Sequence, residues 1–302
     1  MKRTLIVVLS FVALLIVYGT FIEPRFILDV QEHEAEVPQL PTEWEGRKVA
    51  MLADFQVGMW MDNVGMISRA VDEAIDQDVD VVVIAGDFVY KPDSSVVDEA
   101  VALLRPLHEA GIPVLAVLGN HDYSLMKRES QIRPDIARYL SDELEREGIR
   151  VLENQTERVA LDGLPPLAFV GIGSEWAEHS LPSQALATLN GNEARIVFMH
   201  NPVAYRDMPA DSAPLTLAAH THGGQIRFPF MKTNSWLDIA RDREVVAEGW
   251  AASDIGAAGN RLYVTRGIGF SLVPMRLFCP PEVTVFTLRR SDGTLPARGP
   301  NA

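Results

Sequence analysis

Residues 49–56 read VAMLADFQ, an apolar run that ends on a carboxylate and an amide two positions apart, Asp54 and Gln56. Short runs of this kind, without polar alternation, fit strands covered on both faces. The same event recurs along the chain. DVVVIAGD (80–87) ends at Asp87, PVLAVLGNHD (113–122) at Asn120, His121 and Asp122, RIVFMH (195–200) at His200, and LTLAAHTH (215–222) at His220 and His222. In α/β sheets ligands gather outside the carboxyl ends of the strands, so five strand ends carrying carboxylate, amide or imidazole point toward one site.

Between these runs, residues 63–77, 95–110, 134–147 and 183–190 show helical spacing, with Ser95, Pro134 and Ser183 as start signals and Gly111, Gly148 and Gly191 as stops. The fold class is therefore α/β with layered sheets. The later strands follow one another without long helices, which predicts a more antiparallel second sheet. Residues 23–48 are acidic and carry Pro38 and Pro41; they are expected to form a linker or, through RFILDV, an edge strand. The main domain is expected over 49–290, and the turn-rich 291–302 is expected to be a disordered tail.

The chain has 302 residues, 47% hydrophobic and 23% charged, with a net charge of −14 and a pI near 4.9. That balance supports a full core and excludes a nucleic-acid binder, which needs a basic face to displace counterions. The single cysteine, Cys279, excludes an intrachain disulfide framework and a Cys-rich zinc site. At the N-terminus, residues 4–22 are uncharged and mostly apolar, close to the ~20 residues that span a bilayer. No small-residue cleavage site follows. Residues 1–22 are read as an uncleaved membrane anchor, with a cleaved signal peptide and a secreted enzyme as the alternative. Lys2 and Arg3 would stay inside, which places the catalytic domain outside the cytoplasm.

The side chains at the strand ends are hard and borderline ligands that suit Mn²⁺, Fe, Zn²⁺ or Mg²⁺. No nucleophile elbow, phosphate-binding glycine loop or dinucleotide fingerprint competes with them. The order D-x-[H/Q], GD, GNHD, lone H, H-x-H over residues 49–225 resembles the calcineurin-like metallophosphoesterase superfamily. The continuation HTHGGQIRFP (220–229) and YVTRGIGFSLVPMRLFCPPEVTVFTL (263–288) is similar to its bacterial YkuE/YaeI-like envelope branch.

The resemblance implies a four-layer αββα sandwich that holds two divalent metal ions. It also implies hydrolysis of a phosphoester or pyrophosphate by metal-activated water. Matching motif to motif implies that Asp54, Gln56, Asp87 and His222 hold the first metal, and Asp87, Asn120, His200 and His220 the second. His121 would serve the leaving oxygen, and Asp122 would orient its ring. The chain departs from the common pattern at Gln56, where histidine is usual, and at Ala219, where glycine is usual. A neutral amide donates more weakly than imidazole, so Mn²⁺ is favoured, with Fe or Zn²⁺ as alternatives. A Gln56 that lies outside the ligand set stays open, as does a non-catalytic metal-binding scaffold.

Two loops beside the motifs are apolar, VGMWM (57–61) and IRFPFMKTNSW (226–236). If Trp60, Phe228, Phe230 and Trp236 are exposed, they form a lip that suits a lipid-linked substrate; otherwise they are loop cores. Arg227 and Arg266 are candidates for a distal phosphate or for structural ion pairs.

Overall fold

The computed structural model describes residues 1–191, 193–228 and 246–291. Its strands, in chain order, are β1 Asp29–Pro38, β2 Lys48–Leu52, β3 Val81–Ile84, β4 Val114–Ala116, β5 Ile149–Val151, β6 Gln155–Val159, β7 Leu167–Ile172, β8 Arg195–Met199, β9 Thr216–Ala218, β10 Gly249–Trp250, β11 Leu262–Val264 and β12 Glu282–Ser291. They form two six-stranded sheets, ordered β1-β12-β2-β3-β4-β5 and β10-β11-β9-β8-β7-β6.

The apolar runs alternate between two cores. Val49 and Met51 of β2 and Val81 and Val83 of β3 point between the sheets, where they meet Phe169, Phe198 and Leu217 of the second sheet. Their neighbours Ala50, Leu52, Val82 and Ile84 point the other way, against Met66 and Ile67 of α3 (Val64–Asp76) and Leu140 of α6 (Pro134–Arg146). Val170, Val197 and Ala218 cover the outer face of the second sheet together with Tyr205 and Met208. A strand buried on both faces has no polar period, and each such Val, Leu or Phe contributes about 1.5–3 kcal/mol. The result is a mixed α/β sandwich of two sheets between outer layers. The layer over the second sheet is the thinner one, made of α7 (Pro182–Leu186) and a 3₁₀ turn at Pro202–Asp207.

The second sheet is not chiefly antiparallel. β11, β9, β8 and β7 pair in parallel, and only the outer pairs β10–β11 and β6–β7 are antiparallel. A parallel pair needs a crossover of a dozen or so residues, and loops with single turns supply it as well as long helices do. The predicted helix over 95–110 is broken into α4 (Ser94–Ala102) and α5 (Arg105–Glu109). Pro106 lacks the N–H that a continuous helix would need, so the second helix restarts with the proline in its first turn. Of the 183–190 region only 183–186 is helical, as part of α7 (Pro182–Leu186).

β1 pairs in parallel with β12 from Asp29↔Glu282 to Pro38↔Ser291, so residues 29–38 form the edge strand of the first sheet. The same ladder carries strand structure to Ser291, the first residue of the expected tail; residues 292–302 lie outside the described residues. At the N-terminus, α1 (Lys2–Val17), a π-helical turn (Tyr18–Ile22) and α2 (Glu23–Phe26) run as one helix over Lys2–Phe26, long and apolar enough to cross a membrane.

Candidate metal centre

The carboxyl ends of β2, β3, β4, β8 and β9 deliver the polar residues, as the strand pattern implies. Asp54, Gln56, Asp87, Asn120, His121, Asp122, His200 and His222 are all buried, and His220 is half-buried. Five of the proposed ligands leave the strand in the left-handed region: Asp54, Gln56, Asp87, His220 and His222 have φ between 52° and 74°. Non-glycine residues avoid that region at about 1–3 kcal/mol each, and such strain clusters where a site needs it. Two glycines make room. A Cβ on Gly119 would stand 2.1 Å from Asp87 Oδ1, and one on Gly267, at φ +65°, would stand 2.4 Å from Asp54 Oδ2.

Asp87 is the hub. Its Oδ1 accepts from the His121 backbone N–H at 2.9 Å, and its Oδ2 accepts from Gln56 Nε2 at 2.7 Å and lies 3.3 Å from His200 Nε2. His200 Nδ1 sits 2.7 Å from the Ala85 carbonyl, a contact that fixes the tautomer and leaves Nε2 facing inward. That Nε2 is 3.1 Å from Asn120 Oδ1 and 3.2 Å from His220 Nδ1. Asn120 donates its amide N–H to the Leu125 carbonyl at 2.8 Å, so its oxygen is the end that faces His200. On the other side, His222 Nε2 lies 3.8 Å from Asp54 Oδ1.

Ligand atoms of Asp87, His200 and His220 fall within 4.8 Å of one another, as do those of Asp54, Asp87 and His222, so Asp87 belongs to both sets. Asp54 Oδ2, Gln56 Oε1 and His222 Nδ1 are buried without a hydrogen-bond partner. Each such orphan costs about 1–3 kcal/mol, and orphaned oxygens and nitrogens packed among acceptors suit a cation. The residues therefore fit a pair of divalent ions.

Electrostatics agree with that fit. Burial, with Asp87 beside it, pushes the Asp54 carboxyl up to about 7 against the pull of His200 and Arg276. Burial would lift Asp87 as well, but His200 and His121 outweigh it and hold the group low. His200 is pushed up to about 9, because its pairing with Asp87 overcomes burial. Burial, then Arg276, drives His222 well below its ordinary value.

Gln56 is buried against Asp87, so it is not a solvated surface amide. His121 stacks on Tyr90 with ring centroids 4.9 Å apart, and its Nδ1 lies 2.9 Å from the Tyr90 carbonyl. Asp122 does not orient that ring. Its carboxylate accepts backbone N–H groups of Asp87 at 2.9 Å, Gly119 at 2.7 Å and Val89 at 3.2 Å, which ties the β3 and β4 loops together. Burial, with Asp87 next, pushes it up to about 7.

Arg227 and Arg266 are not free for a substrate phosphate. Arg227 pairs with Glu248 and donates to the Gly223 carbonyl, while Arg266 pairs with Asp29 and Glu282. Trp60 and Phe228 are exposed, at 72% and 47%; Phe230 and Trp236 lie outside the described residues.

The residue that sequence reasoning missed is Arg276. Fully buried, it donates to the carbonyls of Gly269 and Arg266 at 2.7 Å, Gly267 at 3.2 Å and His222 at 3.4 Å. It thus binds the glycine loop under Asp54 to the His222 turn. Its one signal is a lone cation inside the apolar LVPMRLFC (272–279).

The Calcineurin-like phosphoesterase family profile matches residues 47–224. The chain is 32% identical over 242 residues to phosphodiesterase YaeI of Escherichia coli, covering 80% of this chain and 82% of that one. It is 25% identical to metallophosphoesterase YkuE of Bacillus subtilis (91% and 90% covered) and 27% identical to a metallophosphoesterase of Aquifex aeolicus (92% and 98% covered). The ordered ligand set, the two-sheet fold and these relatives together place the chain in the calcineurin-like phosphoesterase family, as a metal-dependent phosphoesterase hydrolase.

Proposed function

We propose that the protein is a membrane-anchored phosphodiesterase or pyrophosphatase that acts outside the cytoplasm on a lipid-linked or envelope phosphoester. The observation that carries the catalytic part is Asp87, shared by two ligand sets whose atoms lie within 4.8 Å. Asp54, Gln56, Asp87 and His222 would hold one ion, and Asp87, Asn120, His200 and His220 the other. When bound, two divalent ions supply Lewis acidity that acidifies water and offsets phosphoryl charge. Mn²⁺ suits the Gln56 side best, because the amide oxygen is a hard neutral donor.

The chain's own residues do the rest. The carboxylates of Asp54 and Asp87 set the charge of the site. The Tyr90 carbonyl holds His121 at Nδ1, which makes Nε2 the atom at which that ring carries a proton to the leaving oxygen. Asp122 holds the loops that bear Asp87, Asn120 and His121, and so acts through position. The preference for a diester is supported by the 32% identical relative named a phosphodiesterase. The lipid-linked substrate is supported by exposed Trp60 and Phe228 and by the apolar N-terminal helix.

The test is hydrolysis of bis-p-nitrophenyl phosphate against p-nitrophenyl phosphate by the full chain in detergent, stripped with chelator and reloaded with Mn²⁺. Diester turnover that returns with Mn²⁺ is expected. Faster monoester turnover would overturn the diester assignment, and loss of both activities in folded, metal-loaded protein would favour a binding scaffold.

A further inference from the structure

We propose that the mouth of the metal centre is a membrane-docking surface, where Trp60, Phe228, Leu272, Val273 and Phe278 enter the interfacial layer of the bilayer that holds the N-terminal helix. The inference rests on reading that helix as a retained anchor. It adds that the catalytic domain lies mouth-down on the lipid rather than standing off it.

The helix does not leave the domain through a free linker. The Gly19 carbonyl accepts from the Arg276 N–H at 2.9 Å, and a Cβ on Gly19 would stand 2.9 Å from the Arg276 carbonyl. Glu23, buried, accepts the N–H groups of Phe278 at 2.8 Å and Cys279 at 2.5 Å. Arg25 donates to the carbonyls of Met61 at 2.8 Å and Asp62 at 2.9 Å, and Asn63 donates to the Pro24 carbonyl at 2.5 Å. Arg227 N–H in turn bonds to the Leu277 carbonyl at 2.9 Å. Every loop that carries a residue of the apolar lip is therefore fastened, directly or through one neighbour, to the end of the apolar helix.

The lip continues the surface of that helix. Tyr18 and Phe278 have ring centroids 6.5 Å apart, and Phe21, Ile22 and Phe26 are exposed on the last turns. Leu272 is 57% exposed and Phe278 40%, and both sit in the left-handed region, at φ +65° and +56°, which bulky residues avoid. Such a backbone displays apolar side chains that water would not retain, and an interface of lipid would. The same loop reaches the chemistry. The Gly269 N–H donates to the Asp54 carbonyl at 2.7 Å, and the Ser271 N–H donates to Gln225 Oε1 at 2.8 Å, three residues after His222. A substrate would thus enter from the membrane plane, with its phosphorus at headgroup depth.

The test uses the full chain in phosphatidylcholine/phosphatidylglycerol nanodiscs, with single nitroxide labels introduced through L272C, F278C, L9C or D162C; Cys279 is buried. Asp162 lies in the exposed β6–β7 turn at the opposite end of the sheets. Power-saturation EPR then compares relaxation by oxygen with relaxation by a water-soluble nickel chelate. Labels at 272 and 278 are expected to lose nickel relaxation and gain oxygen relaxation, as at 9, while 162 shows the reverse. Nickel access at both 272 and 278 with position 9 in lipid would overturn docking but keep the anchor. Loss of both relaxants at 272 and 278 would mean a protein surface covers the lip, and it too overturns docking. Nickel access at 9 would remove the anchor and the proposal with it.

Discussion

Gln56 gives its amide N–H to Asp87 Oδ2 at 2.7 Å, while its own oxygen is buried with no partner. One side chain thus steadies the shared carboxylate and offers a neutral oxygen where an imidazole is usual in the superfamily. Replacing it with alanine, Q56A, should weaken metal retention by about 10–100-fold, the range seen when a ligand or its support is lost. Q56H should retain metal and shift the preference from Mn²⁺ toward Zn²⁺, read by competitive titration. A Q56A protein that binds Mn²⁺ like the parent would remove Gln56 from the site.

Asp122 predicts a stability effect rather than a proton-transfer effect. D122A leaves three buried N–H groups without an acceptor and should cost several kcal/mol at about 1–3 each, seen as a lower urea midpoint in metal-free protein. D122N, which keeps acceptor oxygen, should recover much of that loss. If D122A kept the parent's stability and only the acid limb of the pH–rate profile moved, Asp122 would act on His121 after all.

Arg276 predicts a coupling between the C-terminal loop and the first metal set. R276M removes the donors shared by the Gly269, Arg266, Gly267 and His222 carbonyls and should destabilise the fold by several kcal/mol, at about 1–3 for each carbonyl left without a donor. R276K should not rescue it, since one ammonium cannot span that fan of carbonyls. Calorimetry, with metal content measured alongside, checks both.

These three residues mark the limit of what the sequence shows. Strands such as Val49–Leu52 and Val81–Ile84 are legible because both faces are buried, which erases the polar alternation. The ligands are legible because each follows its strand directly. Asp122 and Arg276 are not, since their partners are backbone groups brought together only by the fold. The parallel pairing of β7, β8 and β9 is hidden because the crossovers carry little helix. The break at Pro106 was visible as a proline inside an otherwise periodic run.

The pH dependence of the metal-free fold follows from His200. Its folded value, about 9, lies above the ordinary 6.5, so the stability it contributes is present below 6.5 and lost as pH rises toward 9. His222 and His121 are depressed, and their effects are complete above 6.5; Asp54 and Asp122, at about 7, have lost most of their part by then. Metal-free protein should therefore lose on the order of 3 kcal/mol between pH 6.5 and 9, read as a falling urea midpoint. Saturating Mn²⁺ should reduce that fall, because the ion replaces the proton. A midpoint that is flat or rising across this window in metal-free protein would contradict the pairing of His200 with Asp87.

The central claim is a two-ion site bridged by Asp87, and EPR of the Mn²⁺-loaded full chain tests it most directly. Two equivalents per chain with an exchange-coupled spectrum are predicted, with D87N collapsing the coupling. One equivalent, or two that give isolated Mn²⁺ spectra, would contradict it.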